Sequence, residues 1–412
     1  MNHIEILNVE YGDCTVFAGK NGGCFFIDCG SSNNRLRNPP IEISDVFSFI
    51  KKRYEACSFR HFLLTHYHKD HIRGFKKIIS ESPGYFSRIY LPFIPFEEDT
   101  LQSPVLDFAV MTSGILPYQT ACRHVNLSCL GIFDLLKNDL ENVYILSSGD
   151  TFQFDGDTYE VLSPAGEGFR YNPRLIKIVS AMESCCSEEF LAAKLQFTDL
   201  YYRCLKAFSV KTRASRELRL HLAEQLSCAF SSLNEIPPCN GDSMDKLAET
   251  AASMDAMELY SEAVNMLSIV FHNKRQAGNS GFDILMTGDA PEKLAACFEH
   301  RLYGEYNIVK APHHGTESYY WEIFSHMGIN HMIISNGEYS PGGNISPRYA
   351  QGEYICHCTN KACDCADTGQ CCSNLKFCYD AGTLALKCKL IDRLGKPCKI
   401  YVVSPTGSRG CL

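Results

Sequence analysis

The chain has 412 residues, 45% of them apolar, and a formal net charge of −8. This composition supplies a sizeable core, excludes wholesale disorder and disfavours broad adhesion to nucleic acid or anionic lipid. The start "MNHIEILNVEYGDC" does not read as a signal peptide and no apolar run is long enough to span a bilayer, so a cytoplasmic location with mostly reduced thiols is expected for the 22 cysteines.

The length fits one large domain with insertions, or two domains. Residues 4–28 read as a β-meander, with "NGG" at 21–23 as its hairpin turn and "CFFIDCG" as a buried strand ending at Asp28. Val46, Phe47, Ile50 and Tyr54 predict a helix over 44–57, and "HFLLTH" a short buried strand over 61–66. That order implies a layered α/β fold. Residues 83–140 are turn-rich, with two short helical candidates. Strands are predicted at 142–146, at "TFQF" and at 158–164.

The pattern then changes. Phe190, Ala193, Phe197, Leu200, Tyr201, Cys204, Leu205 and Phe208 fall on one helix face, and Leu218, Leu222, Leu226, Ala229, Phe230 and Leu233 on another. Residues 165–262 are therefore expected to be a helical insertion in a scaffold made of 1–164 and 263–412. Strands resume at 265–273, 282–290, 306–315 and 331–337. A cysteine-rich stretch covers 350–380, and two further strands close the chain.

"FLLTHYHKDHIRGF" (62–75) places His66, His68, Asp70 and His71 directly after a strand. Imidazole and carboxylate together suit zinc, manganese or iron. Asp289 follows "ILMTG", His313 and His314 follow "IVKAP", and Asp28 ends "CFFI". Ligand sites of open α/β sheets form beyond the carboxyl ends of strands, so these groups can meet at one edge. Taken alone, Asp289 also fits an ordinary turn, His313 and His314 a surface pair, and Asp28 a turn cap. Asp13, in "YGD", reads as a simple turn residue.

The motifs "THYHKDH", "TGD" and "HHG" resemble the metallo-β-lactamase superfamily, and within it the hydrolase domain of competence-type DNA-uptake proteins and their stand-alone relatives. The likeness covers roughly 1–80 and 264–340. It implies an αββα sandwich of two mixed sheets with a helical insertion, and two divalent ions, zinc or manganese, in the edge cleft. It further implies His66 and His68 on one ion, Asp70 and His71 on the other, Asp289 bridging, and His313 as another ligand. His314 would be a ligand or proton donor and Asp28 would orient a histidine, so Asp70, His314 and Asp28 are the candidate catalytic groups. Relatives usually carry one more ligand histidine after the "SNG" strand, or between the first cluster and the "GD" strand. "SPGGNISPRY" (340–349) has none, so Asn344 or His124 would have to substitute, and a weaker second ion is expected.

Cys356, Cys358, Cys363, Cys365, Cys371, Cys372 and Cys378, with His357 among them, could form a structural zinc site; disulfide chemistry or no metal are the alternatives. Lys206, Lys211, Arg213, Arg216, Arg219 and His221 form the most basic stretch, which could hold phosphates or be a solvated face. Lys310 and Arg348 lie closer to the motifs and could steady an anionic substrate.

Bound dications would lower the pKa of a coordinated water toward about 7 and make hydroxide available. The expectation is a metal-dependent phosphodiesterase or nuclease acting on nucleic acid or a nucleotide. Alternatives are a hydrolase of esters, thioesters or lactams, and a weakly active metal-bound effector whose helical insertion binds a protein partner.

Overall fold

The computed structural model describes residues 1, 3–37, 40–97, 102–118, 121–165, 168–275, 283–337, 345–359, 375–380, 383–388, 401–403 and 409–411. The chain opens with β1 (His3–Ile6), β2 (Thr15–Ala18) and β3 (Cys24–Ile27), then a small ribbon of β4 (Arg35–Arg37) and β5 (Pro40–Glu42). Next come α1 (Ile43–Arg53), β6 (Arg60–Leu63), α2 (Lys69–Glu81), β7 (Arg88–Pro92), α3 (Pro104–Ile115), α4 (Ile132–Leu135) and β8 (Val143–Leu146). The hairpin β9 (Thr151–Phe154) and β10 (Asp157–Ser163) leads into five helices: α5 (Pro173–Glu183), α6 (Glu188–Phe208), α7 (Arg216–Glu235), α8 (Asp242–Ala252) and α9 (Met254–Asn265). Then follow β11 (Val270–Asn273), β12 (Ile284–Met286), α10 (Glu292–Ala295), β13 (Glu305–Lys310), β14 (Gly328–Ile334) and β15 (Ile355–Cys358). The closing strands expected as two are joined by two more: β16 (Leu375–Asp380), β17 (Thr383–Cys388), β18 (Tyr401–Val403) and β19 (Arg409–Cys411).

The fold is mixed α/β. One sheet of ten strands runs β19-β18-β17-β16-β1-β2-β3-β6-β7-β8, and a second of seven runs β15-β14-β13-β12-β11-β10-β9. In the first, β1 to β3 form an antiparallel meander and β3, β6, β7 and β8 are parallel. In the second, β9 to β12 are antiparallel and β12 to β15 parallel. Strand residues alternate between two cores, as period-2 side chains must. Ile4, Ile6, Phe25, Ile27 and Leu63 of the first sheet meet Tyr159, Val161, Ile284, Met286 and Ile308 of the second in one layer. Their neighbours Phe26, Phe62, Leu64 and Leu285 face outward into the core shared with the helices. The two sheets therefore pack face to face with helices outside.

Residues 83–140 hold an unexpected element. Helix α3 buries Val105, Leu106, Phe108, Ala109, Val110, Met111 and Ile115, so it is apolar all round and is enclosed by α5, α6, α7, α8 and α9. The basic stretch is divided: Arg219 is buried and Arg213 half-buried, while Lys206, Lys211, Arg216 and His221 are exposed. Arg213 donates to the carbonyls of Val143 and Glu141 at 2.6 and 2.7 Å and stacks over Tyr144, Arg216 pairs with Glu141, Lys211 donates to Ser148, and Arg219 donates to Ala214. Arg213 and Arg216 fasten the segment leading into α7 to the edge beside β8, and the exposed members form a solvated face.

His61, His272 and His357 are buried and stay neutral. Burial, helped by Arg88, takes His61 down to about 4, burial takes His272 to about 4, and burial with neighbouring His331 takes His357 to about 3. Below pH 6.5 the unfolded chain takes up protons that the folded chain refuses, so the stability these groups confer at neutral pH is lost as the pH falls from 6.5 toward 3. His61 alone accounts for up to about 3 kcal/mol of that loss. Urea unfolding measured across this range should show a shallower pH dependence in His61→Phe; an unchanged slope would exclude His61 as a source.

Candidate metal centre

Strand ends deliver the predicted residues to one place. β3 runs out into Asp28, held at φ 56°, and β6 into the loop carrying His66 and His68. Helix α2 begins at Lys69, so Asp70 and His71 sit in its first turn. A Cβ on Gly30 would stand 2.4 Å from the Asp70–His71 peptide, so the chain after β3 packs onto that turn only with glycine there. β12 ends before Asp289, whose N–H donates to Ser268 Oγ at 3.0 Å. After β13, His313 and His314 adopt φ 46° and 58°, followed by Gly315 at 78°.

Asp289 is the hub. Its Oδ2 lies 3.2 Å from His71 Nε2, 3.5 Å from His314 Nε2, 3.8 Å from His66 Nε2 and 4.0 Å from His313 Nε2. His314 Nε2 is 3.3 Å from Asp70 Oδ2, and His66 Nε2 is 3.1 Å from His68 Nδ1. His66, His71, His314 and Asp289 are closed off from solvent, while the side chains of Asp70 and His313 are 14% and 24% exposed. The centre therefore opens on the side of Asp70 and His313.

Outer partners orient the rings. His71 Nδ1 donates to Asp28 Oδ2 (2.8 Å), and Asp28 also accepts from the Thr65 N–H and hydroxyl, both at 2.7 Å. Because the Thr65 hydroxyl proton is given to Asp28, its oxygen accepts from His66 Nδ1 at 3.1 Å. Thr316 donates to the His313 carbonyl and so accepts from His313 Nδ1 at 2.7 Å. His314 Nδ1 donates to the Ser335 carbonyl at 2.9 Å. With each Nδ1 proton directed outward, the Nε2 atoms of four imidazoles point inward.

This donor set fits a divalent metal. Asp13, His71, Asp289 and His314, all buried, offer ligand atoms within 4.8 Å of one another. Asp289 Oδ1 and His314 Nε2 are buried and close no hydrogen bond, the condition in which polar atoms call for an ion or water. Burial disfavours charge on Asp70 and Asp289, yet His314 and His71 beside them hold both carboxyls well below the usual range. Burial likewise opposes charge on His71 and His314, but Asp289 and its carboxylate neighbours lift both above an ordinary imidazole. Burial wins at His66 and His68, which fall below the ordinary value, and at His313, which falls to about 4. The carboxylates thus demand positive charge at the hub, and dications or protonated imidazoles are the two ways to supply it.

Asp13, expected to be a turn residue, belongs to this cluster. Its Oδ2 is 2.8 Å from Lys310 Nζ and 3.7 Å from Nδ1 of both His71 and His314, so it meets those rings on their outer side. Lys310, expected to steady a substrate, is buried and also donates to the carbonyls of Gly288 and Ala311. A lysine ammonium this deep needs such partners, which turns it away from the mouth. Arg348 pairs with Glu322 and lies over the Tyr320 ring at 4.0 Å, so its charge is also engaged. Asn344 lies outside the described residues, as does the side chain of His124. Cys356 and Cys358 sit on β15, and His357 between them faces His331 at 2.9 Å. Cys363, Cys365, Cys371 and Cys372 lie outside the described residues, as does the side chain of Cys378.

No family model and no curated protein matches this chain. Among solved structures it is similar to the native FEZ-1 metallo-beta-lactamase from Legionella gormanii, at 12% identity over 56% of this chain and 91% of that one, with a TM-score of 0.20. A likeness that slight carries no argument. Among the described residues, no helix is long and apolar enough to cross a membrane.

Proposed function

We propose that the protein is a metal-dependent hydrolase whose centre holds a pair of divalent ions, zinc or manganese, on either side of Asp289. His66, His68 and His313 would hold one, and Asp70, His71 and His314 the other. The observation that carries this is the inward convergence of histidine nitrogens and carboxylate oxygens on Asp289, each ring locked from outside. His313 and His314 are adjacent and both bring Nε2 to Asp289 Oδ2, at 4.0 and 3.5 Å, so each ion can draw one ligand from this pair. Asp13 approaches the Nδ1 atoms of His71 and His314, already directed to Asp28 and Ser335, and is better placed to orient those rings and neutralise Lys310 than to be a ligand.

Divalent ions there supply Lewis acidity, which acidifies water and polarises the bond to be cleaved. The chain does the rest. Asp28 and Ser335 fix the rings of His71 and His314, and the fold closes all but one side to solvent. His314, with its Nδ1 proton on the Ser335 carbonyl and 3.3 Å from Asp70, presents an unprotonated Nε2 to the centre.

A phosphodiester is the substrate class this reading favours, because paired sites can flank both the entering and the leaving oxygen of an in-line displacement. Lys69, exposed at the first turn of α2, adds positive charge at the mouth. The engaged states of Lys310 and Arg348 favour a small phosphodiester or nucleotide over a long nucleic acid. The test is metal analysis of the purified protein, followed by assays on bis(p-nitrophenyl) phosphate, a cyclic dinucleotide, oligonucleotides, an ester and a thioester. Turnover of phosphodiesters that is lost with a chelator and restored by zinc or manganese is expected. A protein that retains no divalent ion and hydrolyses none of these would end the proposal.

A further inference from the structure

Helix α9, the last of the helical stretch, lays one face on the metal-motif loop. Ser261 Oγ lies 3.3 Å from His68 Nε2. Asn265 is buried and gives its amide N–H to the Tyr319 hydroxyl at 2.8 Å, and the Tyr319 ring stacks on His313 at 3.9 Å between centroids. Its carbonyl oxygen is buried and closes no hydrogen bond. One turn earlier, the Tyr260 hydroxyl donates to the Asn126 carbonyl at 2.7 Å. The Asn126 amide donates in turn to the Tyr67 carbonyl at 2.6 Å, on the backbone between His66 and His68. Ser261 therefore meets the loop directly and Tyr260 through Asn126, from a part of the sequence nearly two hundred positions away.

His68 differs from the other site histidines. Its inward atom is Nδ1, 3.1 Å from His66 Nε2. If Nδ1 carried the proton, it would donate to His66 and occupy the ligand position of both rings. An acceptor at Nε2 prevents this. Ser261 stands at that atom with an exposed hydroxyl, and Asn265, one turn further along the same helix, carries a buried carbonyl that closes no hydrogen bond.

We propose that Asn265 and Ser261 are positioning residues that take the Nε2 proton of His68, so that its Nδ1 lone pair faces the centre, while Asn265 also steadies His313 through Tyr319. The inference rests on the metal-centre reading and makes α9 part of the centre. An outer group that orients a ligand imidazole is worth about 10–100-fold in metal affinity.

The test uses the full chain. In metal-free protein, long-range proton–nitrogen NMR should show His68 protonated at Nε2, and Asn265→Leu should move that proton to Nδ1. Zinc affinity, measured by chelator competition, should fall about 10–100-fold in Asn265→Leu. It should fall far less in Asn265→Asp, which keeps the acceptor. If Asn265→Leu does not fold, Ser261→Ala on the solvent side of the helix serves the same comparison. A wild-type His68 protonated at Nδ1, or equal losses in Asn265→Leu and Asn265→Asp, would overturn the proposal. A wild-type protein that binds no zinc but keeps the Nε2 proton would refute the metal reading while leaving the contact with α9 established.

Discussion

Asp289→Asn should keep the fold and lose the centre. The substitution preserves shape and the backbone hydrogen bond to Ser268, and changes the group that faces His66, His71, His313 and His314 within 4.0 Å. An amide offers one neutral oxygen where the carboxylate offers two charged ones, so it cannot balance dications on both sides. Changes to groups that merely orient ligands cost about 10–100-fold. Removing the shared carboxylate should therefore lower turnover by more than about 100-fold, with metal content by elemental analysis falling by at least one ion per chain. His71 and His314, whose pKa values Asp289 lifts, should also drop toward neutral imidazoles. If the variant retained its full metal content and turnover, Asp289 would not be the hub.

Lys194→Met should be among the most destabilising single changes outside the centre. Lys194 is 5% exposed on α6 and its ammonium bridges Asp107 of α3 at 2.8 Å and Glu183 of α5 at 2.6 Å. Asp107 is 1% exposed, and its second oxygen closes no hydrogen bond. Taking away the cation strands that carboxylate inside an apolar helix cluster, which costs about 3–5 kcal/mol. Burial already raises the Asp107 pKa against the pull of Lys194, so without the lysine it should rise further and the deficit should shrink as the pH is lowered. The double variant Lys194→Met, Asp107→Leu should recover most of the loss, because apolar residues of similar volume replace buried ion pairs at little cost. Urea unfolding of Lys194→Met, Asp107→Leu and the double variant measures this; additive losses in the double variant would show that the pair does not act as a unit.

The sequence patterns that resolved well were local. Short apolar runs marked β3, β6, β10 and β13, helical spacing marked α6 and α7, and the ionisable groups just past strand ends met around Asp289. What stayed hidden depended on long-range geometry. Asp13 looks like any turn aspartate until the first sheet brings it beside Lys310. Lys310 and Arg348 looked available until the fold supplied them with Asp13 and Glu322. Ser261, Asn265 and Tyr319 carried no motif, since their relation to His68 and His313 exists only once α9 packs on the loop. Helix α3 was obscure because a fully enclosed helix shows no polar stripe to set its period.

The left-handed pair His313 and His314 carries a consequence for how such a chain can vary. Right-handed backbone is cheaper by roughly 1–2 kcal/mol for each such residue. The turn is kept by the Thr316 N–H on the His313 carbonyl and the Asn336 amide on the His314 carbonyl. Two neighbouring side chains thereby both reach one carboxylate oxygen, at 4.0 and 3.5 Å. A single insertion or deletion between Pro312 and Gly315 would rotate both rings away together, so this segment cannot drift in length while either contact is retained.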